Sequence, residues 1–238
     1  MAVKDYDLEQ PMDKLIDLAV QKFGEVEFQD VSVGEGTLYV LQIKHMQKYI
    51  DKLMDKTRSG KTVSLPLWAK VWPGSLVMGH SLANFPLKEG AKVLEIGGGS
   101  AITSLVLARR GYDVTVTDVD ADALLFARIN ALKNDLGDNI TAKKTDFKEG
   151  LAERFDCLVG TEFLYDEKQF DLLSAFVDGC LTESEDGEVF FSLDLKRAAK
   201  NFFMQSGERF HIAKSSATFK DQESGVDKPV NLFRFKRK

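Results

Sequence analysis

The sequence contains few cysteines and no apolar run long enough for a membrane span. Its two cysteines, Cys157 and Cys180, match no metal-ligand spacing, so we expect free thiols in a reducing compartment and no metal site. No apolar stretch approaches the roughly 20 residues that a transmembrane helix needs. The first seven residues, MAVKDYD, lack the apolar core of a signal peptide. These absences predict a soluble, cytoplasmic protein without a membrane partner.

An excess of basic residues is also absent. Lysine and arginine together number 32 against 37 aspartates and glutamates, which gives a net charge of -5. Dedicated nucleic-acid binders usually carry a basic surface, so this balance argues against nucleic acid as a partner. With 238 residues and 44% hydrophobic composition, the chain is long enough for one α/β domain with an appendage. The sequence does not indicate an oligomeric state, and a monomer is the default.

Residues 1–60 have the pattern of an accessory region that precedes a larger domain at 61–238. Apolar spacing predicts an amphipathic helix that ends at Gly24, and alternating apolar residues on both sides of a glycine-containing turn predict a β-hairpin. A second, short helix follows the hairpin. The predicted elements are a helix over 12–23, strands over 26–33 and 37–43, and a helix over 45–54.

The larger domain alternates strands with helices, which predicts a parallel sheet with helices on both faces. Its last two strands have no helix between them, which predicts an antiparallel hairpin at the sheet edge. The fold prediction is therefore a doubly wound, mostly parallel α/β sheet with a small N-terminal α+β extension. The predicted strands lie at 91–96, 113–117, 140–144, 157–160, 188–193, 210–214 and 230–235, and the predicted helices at 76–85, 102–110, 121–136, 167–181 and 197–205.

The strongest local signal is a glycine turn between a buried strand and a helix, in the segment VLEIGGGSA at 93–101. Glycines at 97, 98 and 99 allow a sharp turn and a close approach to a ligand, so Gly97, Gly98 and Gly99 are predicted binding residues. A dinucleotide fingerprint would have a third glycine where Ile102 stands. Glu95 would lie badly beside a pyrophosphate, but it suits the ammonium and sulfonium of S-adenosylmethionine. We therefore predict that cofactor.

Acidic residues follow the next two strands. Asp118 ends the second strand about 20 residues after the glycines, where an acid can accept both hydroxyls of a ribose, and Val119 directly after it belongs to the same predicted site. Asp146 follows the third strand and could accept from an adenine amino group, with Phe147 against the ring. Asp146 and Phe147 could nearly as well be a loop aspartate and a core phenylalanine that contact no ligand.

Two further stretches carry a family resemblance. The segment LPLWAKVWPGS at 65–75 resembles a W-A-x-x-W-P motif, and FDCLVGTEFLY at 155–165 resembles a [DE]-x-x-Y motif after the fourth strand. With the glycine turn, they make residues 37–238 similar to the class I seven-strand methyltransferases, and in particular to methyltransferase family 16, the protein lysine methyltransferase group. Residues 1–36 match nothing in that pattern.

The resemblance implies site roles and a reaction. Trp72 would cover the methionine part of S-adenosylmethionine, Glu162 would orient the acceptor amine or face the cofactor, and Tyr165 would steer the amine. The implied product is S-adenosylhomocysteine and the implied acceptor is a protein lysine. The sequence departs from the usual pattern at Glu162, where aspartate is common, and at Ala101, where a third glycine is commoner.

Other functions remain open. A small-molecule N-methyltransferase shares every motif, because loops and the N-terminal region build the acceptor pocket. A non-catalytic nucleotide-binding or interaction protein could keep the same fold. No D/N/S-P-P-Y/F loop for a flipped base is present, and Ile102 with Glu95 opposes a nicotinamide enzyme. The sequence identifies no general base, since the histidines lie outside the motif loops and no G-x-S-x-G elbow occurs.

Overall fold

The computed structural model describes residues 5–60, 63–146, 149–163, 170–194, 200–220 and 225–238. Within them, helices and strands alternate through most of the chain, as the sequence predicts. The elements in chain order are α1 (Met12–Phe23), β1 (Val26–Val33), β2 (Gly36–Ile43), α2 (Met46–Arg58), a 3-10 turn (Leu67–Ala69), α3 (Pro73–Leu82), β3 (Lys92–Ile96), α4 (Ile102–Arg109), β4 (Asp113–Asp118), α5 (Ala121–Lys133), β5 (Ile140–Lys144), β6 (Cys157–Thr161), α6 (Phe170–Cys180), β7 (Glu188–Asp194), α7 (Lys200–Arg209), β8 (Phe210–Lys220) and β9 (Asp227–Arg237).

The main sheet has seven strands in the order β5-β4-β3-β6-β7-β9-β8. The first five are parallel to one another, and β9 and β8 are antiparallel additions at one edge. The chain builds outward from β3 to β5 and then returns to place β6 on the other side of β3. The sheet therefore has a switch point between β3 and β6, where ligands bind in open α/β sheets. The predicted doubly wound fold is confirmed.

Side chains of β3 show how the two faces are packed. Val93 lies in a core shared with α3, α4 and α5, whereas Leu94 and Ile96 lie in a core shared with α6 and α7. Successive strand residues point to opposite faces, so the apolar run of β3 serves both cores. Glu95 follows the same alternation and points to the side of α4.

The N-terminal hairpin forms its own two-stranded sheet, β1 with β2. Its buried residues Val33, Leu38 and Val40 share the core that lies under α3 and α4. Helix α1 packs through Leu15 and Phe23 in a separate cluster with residues of α5. The predicted hairpin is confirmed, while the division of the chain at residue 60 stays a prediction.

Several element bounds differ from those predicted, for local reasons. Helix α5 ends at Lys133 rather than at 136, because Asp135 takes a left-handed conformation with φ of 59°. Helix α2 runs to Arg58, whose ion pair with Asp55 lies in an exposed last turn. Strand β8 extends to Lys220, since it pairs with β9 along its whole length. Residues 167–169 and 197–199 of two predicted helices lie outside the described residues.

No helix in the described part of the chain is long and apolar enough to span a bilayer. Those same residues contain no group of three or more histidine, cysteine, aspartate or glutamate side chains arranged for a metal ion.

Candidate active site

A cavity of about 500 Å³ opens at the carboxyl ends of β3, β4 and β6, where the sheet has its switch point. Its size lies within the range of roughly 300–1,000 Å³ that is usual for small-molecule sites. The walls come from the glycine turn, the ends of β4 and β6, and the loop before α3. Of the residues that the sequence predicts for the site, the cavity wall contains Trp72, Gly97, Gly98, Gly99, Asp118, Val119, Asp146 and Glu162.

The glycine turn forms one wall because its residues lack side chains. Gly97 and Gly99 have positive φ angles of 62° and 52°, a region that favours glycine. A Cβ at Gly99 would lie 2.9 Å from the carbonyl oxygen of Trp68, and a Cβ at Gly98 would overlap Val116 Cγ2. Ala101 ends the turn with φ of 59° and starts α4. Packing and conformation therefore both require small residues here.

Asp118 ends β4 beside the turn and holds it in place. Its Oδ2 accepts from the Gly99 N–H at 3.1 Å and its Oδ1 accepts from the Asp120 N–H at 3.0 Å. Burial raises the pKa of Asp118, and these backbone donors oppose the rise. A carboxylate oxygen can accept more than one hydrogen bond, so Asp118 retains capacity toward the cavity. Val119, next in sequence, is 61% exposed and forms an apolar part of the wall.

Glu95 lies behind the turn and is absent from the described cavity wall. Its carboxylate accepts from the backbone N–H of Ser104 at 3.0 Å and also from the Ser104 hydroxyl. It thus satisfies a free N–H in the first turn of α4, where a negative charge is favoured. Burial raises the pKa of Glu95 to about 7. The geometry assigns this residue to anchoring α4, and a direct ligand contact for it stays a prediction.

Glu162 follows β6 and is nearly buried at 5% exposure. Its φ of 54° is unusual for a residue with a side chain, and such strain often marks a functional site. Its N–H donates to the carbonyl of Ser192 at 3.1 Å. A Cβ on Gly74 would lie 2.7 Å from Glu162 Oε1, so the glycine at the start of α3 leaves room for the carboxylate.

The two tryptophans of the segment before α3 have different environments. Trp72 lines the cavity, donates from Nε1 to the Leu67 carbonyl at 2.9 Å, and has Lys70 Nζ 4.8 Å from its ring centroid. Trp68 packs its ring edge-on against Phe126 and Phe23, at 4.9 and 5.6 Å. Trp68 therefore packs against the core and also borders the cavity, as Trp72 does, and both side chains are half-buried.

Phe147 and Tyr165 lie outside the described residues, so their predicted roles stay predictions. Asp146 lies in the cavity wall, and Thr145 and Thr161 also border the cavity although the sequence did not suggest them. Asp120 is the N-cap of α5, since its side chain accepts from the Asp122 N–H at 2.9 Å. An acidic residue directly before a predicted helix is a sequence signal for an N-cap, and Asp120 has that position. No local sequence signal identifies Thr145 and Thr161 as cavity residues.

The described cavity wall is acidic. Asp118, Asp120, Asp146 and Glu162 contribute to it, against one base, Lys70. Carboxylates close together in a partly buried space favour a ligand that carries positive charge. A pyrophosphate would meet like charges in this wall.

The family model and the relatives that match this chain are methyltransferases. A family model described as lysine methyltransferase matches residues 51–210. Protein N-lysine methyltransferase METTL21A of Xenopus tropicalis is 26% identical over 173 residues, which are 70% of this chain and 76% of that protein. Ribosomal protein L11 methyltransferase of Dictyoglomus turgidum is 38% identical over 74 residues, which are 31% of this chain and 24% of that protein.

Solved structures share the fold. A SAM-dependent methyltransferase from Methanosarcina mazei aligns with a TM-score of 0.54 at 18% identity, over 71% of this chain and 98% of that one. A ribosomal protein L11 methylase from Lactobacillus delbrueckii subsp. bulgaricus aligns with a TM-score of 0.51 at 22% identity, over 69% and 77%. At such identities the likeness concerns the fold alone.

Proposed function

The chain belongs to the lysine methyltransferase family, and on that premise we propose that it methylates the side-chain amine of a lysine in a protein substrate. Family membership makes it an S-adenosylmethionine-dependent methyltransferase. The observation that carries the finer proposal is the acidic cavity at the glycine turn, where a buried glutamate, Glu162, follows β6 beside the start of α3.

The cavity fits the cofactor by two independent features. Gly97, Gly98 and Gly99 line the cavity without side chains, so a ligand can approach the backbone of the turn closely. The wall is acidic, which suits a ligand with an ammonium and a sulfonium. When bound, S-adenosylmethionine supplies a methyl group activated by its sulfonium, and S-adenosylhomocysteine is the product.

Each wall residue would hold a different part of that cofactor. Asp118 would accept the ribose hydroxyls with the lone pairs that Gly99 and Asp120 leave available. Asp146 would accept from the adenine amino group, and Val119 would contact the adenosyl part through its exposed apolar side chain. Trp72 would cover the methionine part.

The protein's task toward the acceptor is to present a neutral amine. A lysine has a reference pKa of about 10.4, so it must lose a proton before its nitrogen can attack a methyl group. A partly dry channel favours the neutral form. Glu162 would accept an N–H from the amine and so orient the nitrogen lone pair toward the methyl group. The family resemblance implies that Tyr165 would also steer the amine. Alignment of this kind accounts for much of the rate that such enzymes gain.

Label transfer tests this proposal. The full chain is incubated with methyl-labelled S-adenosylmethionine and a cell lysate, one half of which has been digested with protease and filtered to remove large peptides. We expect label in intact protein, on lysine after hydrolysis and chromatography, and no label with an Asp118→Ala variant. Label that appears only in small molecules would contradict the lysine proposal and would favour a small-molecule N-methyltransferase.

A further inference from the structure

Asn130 of helix α5 is a polar side chain among mostly apolar buried residues of the same helix. Asn130 is 0% exposed. Its Oδ1 accepts from the Leu41 N–H at 2.7 Å, and its Nδ2 donates to the Ser100 carbonyl at 3.0 Å. Leu41 belongs to the N-terminal hairpin and Ser100 to the glycine turn. One carboxamide therefore joins two segments that are 59 positions apart in sequence.

A second asparagine, one helical turn later, makes a similar contact to the hairpin but none to the glycine turn; its Nδ2 also donates to the backbone carbonyl of Asn130 at 2.8 Å. Asn134 accepts from the Tyr39 N–H at 3.0 Å and donates to the Tyr39 carbonyl at 2.8 Å. Tyr39 and Leu41 present these groups on the same edge of β2, because alternate residues of a strand direct their backbone groups the same way. The carboxamides of Asn130 in α5 and of Asn134 just after it thus bond to β2 as a neighbouring strand would.

The contact on Ser100 completes a set of hydrogen bonds that fix the turn. Asp118 holds the Gly99 N–H, the Trp68 carbonyl accepts from the Ser100 hydroxyl at 3.0 Å, and Asn130 holds the Ser100 carbonyl. Ser100 also precedes Ala101, which has a left-handed conformation that its surroundings must maintain. Without Asn130, two buried backbone groups would lose their partner, and the turn could relax to satisfy them.

We propose that Asn130 is a positioning residue that couples the N-terminal hairpin to the cofactor-binding turn. The hairpin then contributes to cofactor affinity through Asn130, although it lies outside the cavity. The inference rests on the proposed function, since it takes the glycine turn as the place where the adenosyl cofactor binds. Coupling of this kind is reciprocal, so cofactor binding must also stabilise the contact between Asn130 and the hairpin.

The main test compares the two asparagines. S-adenosylhomocysteine is titrated calorimetrically into the full chain and its Asn130→Ala and Asn134→Ala variants, at a temperature where circular dichroism shows all three folded. We expect Asn130→Ala to bind at least 10-fold more weakly, because only part of its population has the competent turn. Asn134→Ala should bind within 2-fold of the wild type, even if its melting temperature falls as far.

A pH profile separates positioning from general support of the fold. In Asn130→Asp, a protonated carboxyl could donate to the Ser100 carbonyl as the amide does, whereas an ionised one could not. Its affinity for S-adenosylhomocysteine, divided by that of the wild type at the same pH, should therefore fall as pH rises from about 5 to about 9, since burial moves a carboxyl pKa upward into this interval. Division by the wild-type value removes effects of other groups, including Glu95.

Hydrogen exchange covers the case in which the variants do not fold. In the wild-type chain, S-adenosylhomocysteine should slow exchange of the Leu41 amide more than that of the Tyr39 amide. Equal effects on the two amides would overturn the proposal. So would a folded Asn130→Ala that binds as the wild type does, a loss of affinity as large in Asn134→Ala, or a flat pH ratio for Asn130→Asp. Failure of the wild type to bind at all would instead refute the proposed function.

Discussion

Replacement of Glu95 by glutamine should change how the stability of the fold depends on pH. Burial raises the pKa of this carboxyl from 4.5 to about 7, against hydrogen bonds from Ser104 that lower it. The folded state therefore holds the proton more tightly than the unfolded state. Stability from this group is fully present below about pH 4.5 and is lost as pH rises through about 7, because the folded protein must then bury a charge.

The size of the effect follows from the same pKa difference. One pKa unit corresponds to about 1.4 kcal/mol, so Glu95 should lower the free energy of unfolding by about 3 kcal/mol between pH 4 and pH 8. Glutamine cannot ionise, and its carbonyl can still accept from Ser104. The free energy of unfolding of Glu95→Gln minus that of the wild type should therefore rise by about that amount across the interval.

Urea unfolding followed by tryptophan fluorescence measures this difference at each pH. A constant offset between the two proteins is expected in addition, since the amide nitrogen replaces a carboxylate oxygen in a buried place. Glu89→Gln removes one exposed carboxylate and is the matched control. Its free energy of unfolding should differ from that of the wild type by about 0.5 kcal/mol or less. A difference between Glu95→Gln and the wild type that does not vary with pH would show that burial does not raise the pKa of Glu95.

Three further substitutions test other contacts. Gly99→Ala should destabilise the protein more than Gly111→Ala and abolish S-adenosylhomocysteine binding in calorimetry, because both glycines have positive φ but only a Cβ at Gly99 would meet backbone, at 2.9 Å. Asp118→Asn should weaken that binding roughly 10- to 100-fold, because an amide nitrogen cannot accept a hydrogen bond. Asp122→Ala should lower the pKa of Tyr6 in an NMR titration, since burial and a 2.6 Å hydrogen bond to Asp122 now raise it.

Each of these has a clear contrary outcome. Equal losses of stability in Gly99→Ala and Gly111→Ala would show that the contact of the added Cβ with the Trp68 carbonyl does not lower stability. Unchanged affinity in Asp118→Asn would remove this carboxylate from the ligand site. A Tyr6 titration that stays where it is in Asp122→Ala would leave burial as the whole cause of the raised pKa.

Much of the fold could be predicted because local signals agree with the tertiary structure. Helix α1 and strand β5 have the predicted bounds, since apolar periodicity and the flanking residues define both ends. Strand β8 was predicted six residues too short, because Ser215, Ser216 and their neighbours show no alternation on a mostly exposed edge strand. Its pairing with β9 comes from backbone hydrogen bonds, which side-chain patterns do not reveal.

The site could be predicted where residues follow the ends of strands. Gly97, Asp118 and Glu162 border one cavity because the carboxyl ends of β3, β4 and β6 meet at the switch point. The placement of Glu95 behind the turn depends on which face of β3 its side chain takes, and a motif does not state this. Asn130 could not be predicted at all, because its partners are 30 and 89 positions away.

The proposed function requires that the cavity at the glycine turn holds an adenosyl cofactor. A crystal structure of the full chain with S-adenosylhomocysteine tests this directly. We expect ligand density against Gly99, with the ribose hydroxyls within hydrogen-bond distance of Asp118. Density for that ligand elsewhere, or a dinucleotide in the cavity in its place, would contradict the proposed function.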